Sequence, residues 1–132
     1  PLEVTVECDR TESVLGEPLP IVARIRNAGL DAVWVPREPV VVFTWMYPSG
    51  QRDNNAFRMP EDKDFTEVDA RKLGPGDEMT VQVEITTQYI PTTGITEFGA
   101  VLILPRNTNS SLGPFAEGTY RSNRFGVNLI RR

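Results

Sequence analysis

Ile21-Val22-Ala23-Arg24-Ile25-Arg26-Asn27-Ala28-Gly29 is the stretch that decides the fold. Its apolar residues Ile21, Ala23 and Ile25 occupy alternate positions, and Arg24 and Arg26 have the other parity. Because successive side chains of a β-strand point to opposite faces, this pattern predicts a strand with one dry and one wet face. The closing Asn-Ala-Gly predicts a tight turn, since Asn and Gly tolerate left-handed backbone.

The same alternation recurs along the chain. It runs without error through Leu2–Asp9, where Cys8 is expected to be a small buried side chain, and again through Met79–Thr86. Val40–Tyr47 and Phe98–Leu104 are apolar at both parities, which is typical of central strands covered on both sides.

Prolines and parity changes mark where strands start and break. Pro18 and Pro20 precede the opening strand and are expected to delay its start. Near the end of the chain, Phe125, Val127 and Leu129 keep one parity, whereas Tyr120 has the other. We therefore predict a bulge or break between Ser122 and Arg124.

The strands and turns together predict an all-β fold. Seven or eight short antiparallel strands and no convincing helix are best accommodated by two packed sheets. The expected architecture is a single immunoglobulin-like sandwich over residues 1–132, without the Cys-Trp-Cys core of antibody domains. We further expect it to be a domain cut from a longer protein.

Composition narrows the classes of function. The chain has 132 residues, a formal net charge of −4, no histidine and one cysteine. The acidic balance disfavours nucleic acid and anionic membrane surfaces, and no apolar run is long enough for membrane insertion. The lack of histidine removes the usual catalytic base and zinc ligand, so we predict neither an enzyme nor a cofactor.

The segment Gln51–Lys72 is the most charged part of the chain. Its carboxylates raise the alternative of a calcium site, but the spacing lacks the glycine and terminal glutamate of an EF-hand loop. We therefore predict a solvated loop with no metal, in which a short edge strand over Phe65–Ala70 remains an option.

Exposed aromatic side chains are the candidate binding residues. Trp34 and Tyr89 flank turns, where they are placed to stack on a sugar ring or anchor a partner protein. Trp45, inside the apolar run, is expected to belong to the core instead.

The turn residues resemble those of known families. Arg26–Gly29, Tyr47–Gly50, Leu73–Asp77 and Glu117–Tyr120 follow the order found in immunoglobulin-like and fibronectin-III-like accessory modules of large bacterial surface or secreted proteins. The order is also similar to that of the bacterial intracellular proteinase inhibitor family. The first resemblance implies an extracellular or cell-surface location, with neighbouring domains of a longer chain as partners.

A second resemblance concerns one loop. Pro91-Thr92-Thr93-Gly94 is similar to the Asn-Pro-Thr-Thr-Gly loop of chagasin-type cysteine-protease inhibitors, although Ile90 stands in place of the Asn. The resemblance implies that Pro91, Thr92, Thr93 and Gly94 contact a protease, and an ordinary turn-forming loop is the alternative.

Three functional hypotheses follow, of which the third, an enzyme, depends only on a pair of carboxylates such as a glycosidase uses. The first is a non-catalytic module that spaces neighbouring domains or binds a protein or glycan through its end loops, which are predicted at Gln51–Lys72, Gln88–Thr96 and Asn107–Pro114. The second is a protease inhibitor that presents the loop around Pro91–Gly94.

Overall fold

The fold is all-β, with eleven strands in three sheets and two single-turn 3₁₀ helices. The computed structural model describes the backbone of residues 1–132 and every side chain except those of Tyr89 and Ser110. The strands are β1 (Leu2–Glu7), β2 (Glu12–Val14), β3 (Pro18–Asn27), β4 (Val33–Pro36), β5 (Val40–Met46), β6 (Arg52–Asn54), β7 (Ala70–Leu73), β8 (Glu78–Thr86), β9 (Gly94–Leu104), β10 (Gly118–Arg121) and β11 (Phe125–Ile130). The helices are Thr87–Tyr89 and Ser110–Leu112, and neither has the length or apolar character needed to cross a membrane.

Strand β3 is the centre of a three-stranded sheet, in the order β1-β3-β8. Its alternate residues from Leu19 to Asn27 are buried, as the sequence predicts. Pro18 and Pro20 lie inside the strand, so the predicted delay is wrong. The backbone N–H and C=O groups of even-numbered residues in β3 face β1, and the pairing of the two strands stops at Val22 of β3. The two prolines lie beyond that point, so they cost no hydrogen bond between the strands.

Strand β9 is the centre of the larger sheet, in the order β2-β11-β9-β5-β6. Strands β10 and β11 pair with successive halves of the same edge of β9 and are separated by Ser122–Arg124. The predicted break is therefore confirmed. The Ala100 N–H donates to the Ser122 hydroxyl at 2.8 Å, and the Ser122 N–H donates to the Ala100 carbonyl at 3.0 Å, so the break remains joined to the sheet.

The turn after β3 forms where expected but for another reason. Among the described residues no non-glycine residue has a positive φ, and the positive-φ glycines do not include Gly29. Instead the Asn27 side chain, 1% exposed, accepts from the Gly29 N–H and donates to the carbonyls of Asp31 and Leu73, each at 2.9 Å. Glycine suits position 29 because a Cβ there would lie 3.0 Å from the Pro1 ring, so that the ring would have to shift.

The third sheet is the pair β4–β7, with Trp34 opposite Lys72. The optional edge strand over Phe65–Ala70 is wrong, because Thr66–Asp69 forms a turn and β7 begins only at Ala70. The predicted loop Gln88–Thr96 is also too long, because β9 begins at Gly94.

One continuous apolar core joins the inward faces of the two larger sheets. It contains Ile21 and Ile25 from one sheet and Phe43 and Phe98 from the other, and Trp45 is packed against it but only half-buried. The strand number exceeds the predicted seven or eight because the three-residue strands β2 and β6 are too short to show alternation, and because the last strand is split in two.

Candidate functional site

Four prolines line a groove at the end of the larger sheet where β9 finishes. Pro36 ends β4, Pro39 precedes β5, Pro105 follows β9, and Pro60 comes from the long loop after β6. Proline cannot donate a ladder hydrogen bond, so it collects where strands stop, and here several strands stop together. We call this cavity of about 430 Å³ the proline groove; its other lining residues are Arg37, Glu38, Val40, Glu61, Lys63, Phe65, Val68 and Asp69.

The wall of the proline groove is the loop of residues 55–69, which is anchored to the loop after β9. The Phe65 N–H donates to Asn107 Oδ1 at 2.9 Å, and Asn109 Nδ2 donates to the Phe65 carbonyl at 2.8 Å. The Phe65 ring is buried and stacks on Phe115 with centroids 4.9 Å apart. Two of the three predicted end loops, Gln51–Lys72 and Asn107–Pro114, therefore form one structure.

Two acidic residues of this loop bind the loop after β9. Asp62 accepts from the Arg106 N–H at 2.9 Å, and the Asp64 carboxylate accepts from the Thr108 hydroxyl. Across the described residues no group of three or more His, Cys, Asp or Glu side chains is arranged to hold a metal ion. Two of the carboxylates that suggested calcium thus anchor the loop to its neighbour.

A tight turn at the rim presents an apolar side chain to solvent. Asp69 Oδ1 accepts from the Thr66 N–H at 2.7 Å, and its other oxygen lies 2.5 Å from the Lys63 ammonium. The Lys63 ammonium also lies 5.0 Å from the centroid of the Phe65 ring. The hydrogen bond from Lys63, followed by that from the Thr66 N–H, holds the pKa of the Asp69 carboxyl below its ordinary value. Val68, at the tip of this turn, is 84% exposed.

The charges at the rim favour a cationic ligand. Glu38 and Glu61 form no ion pair or hydrogen bond among the described side chains. The charge of Lys63 is neutralised by Asp69. The Arg37 guanidinium donates to the backbone carbonyl of Glu67 at 3.0 Å, and among the described side chains no carboxylate pairs with its charge. Two free carboxylates beside one free guanidinium leave the rim net negative.

The predicted binding residues do not form one site. Trp34 lies at the same end of the molecule as the proline groove, where its backbone N–H donates to the Pro114 carbonyl. Its side chain is only half-exposed. Pro91–Gly94 lies at the other end of β9, whose eleven residues span about 36 Å at the usual rise. The side chain of Tyr89 lies outside the described residues.

The loop around Pro91–Gly94 is held at both ends. Ile90 is buried, and Gly94, with φ +117°, begins β9 against Pro48. Between them Pro91 is exposed, whereas Thr92 and Thr93 are half-buried, and the Thr92 hydroxyl donates to the Thr93 carbonyl at 3.1 Å. Of the three side chains in this loop, only that of Pro91 is exposed.

A second concavity lies on the outer face of the three-stranded sheet. It measures about 570 Å³ and is bordered by Glu7, Asp9 and Glu84 around a floor that includes Val22. Cys8 also borders it, and its side chain packs against the edge of the core but is only half-buried, because it lies one residue beyond the end of β1. The prediction of a buried, core-facing thiol is therefore correct in direction but not in extent.

Sequence reasoning missed the residues that build the proline groove. The prolines were visible, but their convergence depends on which strands end together, and that is a tertiary property. The apolar residues Phe65 and Val68 interrupt an otherwise charged stretch, which is the one signal that could have indicated an anchor and an exposed contact. No protein-family model matches the chain, and no curated protein matches it in sequence.

Proposed function

We propose that this chain is a non-catalytic, immunoglobulin-like β-sandwich module that binds an extended segment of a partner protein in the proline groove. The sandwich is supported by the apolar core shared by the two larger sheets. The strand order departs from the predicted antiparallel sandwich at one place, where β2 pairs in parallel with β11 beside the antiparallel strands β9 and β5. Immunoglobulin-like domains display their loops at the two ends of such a sandwich.

The observation that carries the proposal is the anchored wall of the groove. A volume of about 430 Å³ falls in the range of about 300–1,000 Å³ typical of ligand sites. Because Phe65 is fixed by two asparagine side chains, the exposed Val68 is presented by a pre-formed surface, which lowers the entropy lost on binding.

The preferred segment combines an apolar side chain with a lysine or arginine. The apolar side chain would contact Val68 and the prolines, and the cation would face Glu38 and Glu61. Glycan binding has less support. Trp34 was predicted to stack on a sugar ring, but its side chain is half-buried.

Selection of peptides from a random phage library on the immobilised protein tests this function. We expect selected peptides to place Lys or Arg beside an apolar residue. Val68→Asp should weaken their binding by about tenfold, because the burial of a valine contributes roughly 1.5 kcal/mol or more. Leu30→Asp is the matched control, since Leu30 is 93% exposed and lies outside the groove. Equal affinity for V68D and the parent protein would refute the proposal.

The loop around Pro91–Gly94 supports a second candidate function, inhibition of a protease. Its support is the exposed Pro91 between the buried Ile90 and the packed Gly94, an arrangement that presents a short rigid loop. Assays against one papain-like and one subtilisin-like protease test it. Thr92→Ala with Thr93→Ala should reduce any inhibition, and V68D should leave it unchanged.

A further inference from the structure

Strand β8 has a long edge that nothing in the described structure covers. It pairs along its whole length with β3 on one side, and the sheet ends there on the other. The opposite edge of this sheet is closed at Val6, whose N–H and C=O both bond to the Asn123 side chain. At the edge of the larger sheet, β6 has only three residues, against nine in β8.

The register fixes which backbone groups point outward from β8. The Asn27 N–H donates to the Asp77 carbonyl at 2.9 Å. In the same register, the backbone N–H and C=O groups of odd-numbered residues in β3 and β8 point toward each other. The even-numbered residues, among them Thr80, Gln82 and Glu84, therefore direct their N–H and C=O groups to the open edge. In the described structure no backbone or side-chain group bonds to the N–H groups of these three residues.

Apart from the carboxylates of Glu78 and Glu84, this edge lacks the features that usually prevent strands from pairing. It contains no proline, glycine or lysine, and its backbone continues without a bulge for nine residues. Val81 and Val83 on the core-facing side remain half-exposed, because no further strand covers them. Natural proteins protect long edges with charge, proline or a covering segment, so an open edge with apolar side chains indicates a pairing surface.

We infer that β8 pairs antiparallel with β8 of a second copy of this chain, across a two-fold axis at Gln82. The strand sequence is nearly palindromic in chemical character about this residue. On the outer face Thr80 would oppose Glu84, and on the inner face Val81 would oppose Val83. The outer pairs are Gln82–Gln82, Thr80–Glu84 and Glu78–Thr86, and the inner pairs are Val81–Val83 and Met79–Ile85.

Charge and ladder length together select this register over its neighbours. An axis at Val81 would place Glu78 opposite Glu84, and an axis at Val83 would pair only the seven residues 80–86 instead of all nine. With the axis at Gln82 no two carboxylates face each other, and each outward residue exchanges two hydrogen bonds with its opposite. Moving the axis to Glu84 would place two glutamates directly opposite each other, which is destabilising. Moving it to Thr80 would bring Glu84 opposite Gly76, in the turn before the strand, and so shorten the ladder.

The product is one continuous sheet formed from two three-stranded sheets. A single strand edge buries less surface than the roughly 1,200 Å² of a standard interface, so the dimer is weak and forms only at high protein concentration. This surface is separate from the proline groove, and the two can fail independently.

Two substitutions at adjacent outward positions test the register. Thr80→Lys and Gln82→Lys add the same charge to the same face of the same edge. In the proposed dimer T80K places each ammonium opposite Glu84 of the other copy, whereas Q82K places the two ammonium groups opposite each other. We expect T80K to tighten dimerisation about fivefold, since two opposite-charge pairs form, and Q82K to weaken it by a similar factor.

Sedimentation equilibrium from low-micromolar to near-millimolar protein measures both effects. A parent protein that stays monomeric throughout, or two variants that shift in the same direction, would overturn the inference. Amide hydrogen exchange gives a second readout. Exchange at Thr80, Gln82 and Glu84 should slow as concentration rises, and that at Val81 and Val83 should not change. Uniform behaviour at even and odd positions would also overturn it.

Discussion

Replacement of Asn27 by alanine tests how the turn after β3 is stabilised. The side chain makes three hydrogen bonds of 2.9 Å, to Gly29, Asp31 and Leu73, and the one to Leu73 is buried. Each net hydrogen bond contributes about 1 kcal/mol, so Asn27→Ala should lower the free energy of unfolding by about 3 kcal/mol. A loss of this size is a large part of the roughly 5–15 kcal/mol typical of a domain.

Asn27→Asp keeps the volume of the side chain but removes its two donated hydrogen bonds. Its carboxylate still accepts from the Gly29 N–H, but its second oxygen faces the carbonyls of Asp31 and Leu73 instead of donating to them. At neutral pH N27D should therefore be less stable than N27A. Near pH 4 its protonated form donates to one carbonyl, and the deficit relative to the parent protein should shrink.

Urea unfolding followed by tryptophan fluorescence measures both variants. The two tryptophans report different sheets, because Trp34 lies in the small β4–β7 sheet and Trp45 in the larger one. A cost below about 1 kcal/mol for N27A would show that these hydrogen bonds do not stabilise the fold as argued. Identical stabilities of N27A and N27D at both pH values would contradict the account of the buried donors.

Two further predictions concern strain and charge. Gly94→Ala should lower the thermal stability of the protein more than Gly50→Ala. Both glycines have positive φ, but only at Gly94 would the new Cβ meet another side chain, that of Pro48 at 3.0 Å. Equal losses of stability would show that the contact with Pro48 is immaterial. An NMR titration should find the Asp69 carboxyl pKa below 3.8, and Lys63→Met should raise it. Because the pKa of Asp69 is lower in the folded protein than in the unfolded chain, Asp69 contributes stability above pH 3.8 that is lost as the pH falls through the folded value. An unshifted pKa in the parent protein would contradict the Lys63 hydrogen bond.

Alternation of apolar residues predicted β1, β3 and β8, because a side chain's face depends only on its local parity, and apolar runs at both parities predicted β5 and β9. Strands β1, β3, β5, β8 and β9 all appear where the pattern placed them, within a few residues at their ends. The break near Ser122 was predictable for the same reason, since a change of parity requires an extra residue somewhere in the strand.

Features that depend on partners distant in sequence were not predictable. Asn27 was assigned to a left-handed turn, whereas its side chain bonds to Leu73, forty-six residues away. The charged loop was expected to be solvated, but Phe65 is buried, and its backbone N–H donates to Asn107 while its carbonyl accepts from Asn109. The convergence of Pro60 with the other prolines likewise depends on topology rather than on local sequence.

The central claim is that the proline groove is the binding surface of this protein. A titration of the ¹⁵N-labelled protein with a peptide selected on it, followed by amide chemical-shift changes, tests this claim most directly. We predict the largest changes at Lys63, Phe65 and Val68, with little change at Gly94, at the far end of β9. Changes centred on the loop around Pro91–Gly94, or no changes at the groove at saturating peptide, would contradict the account.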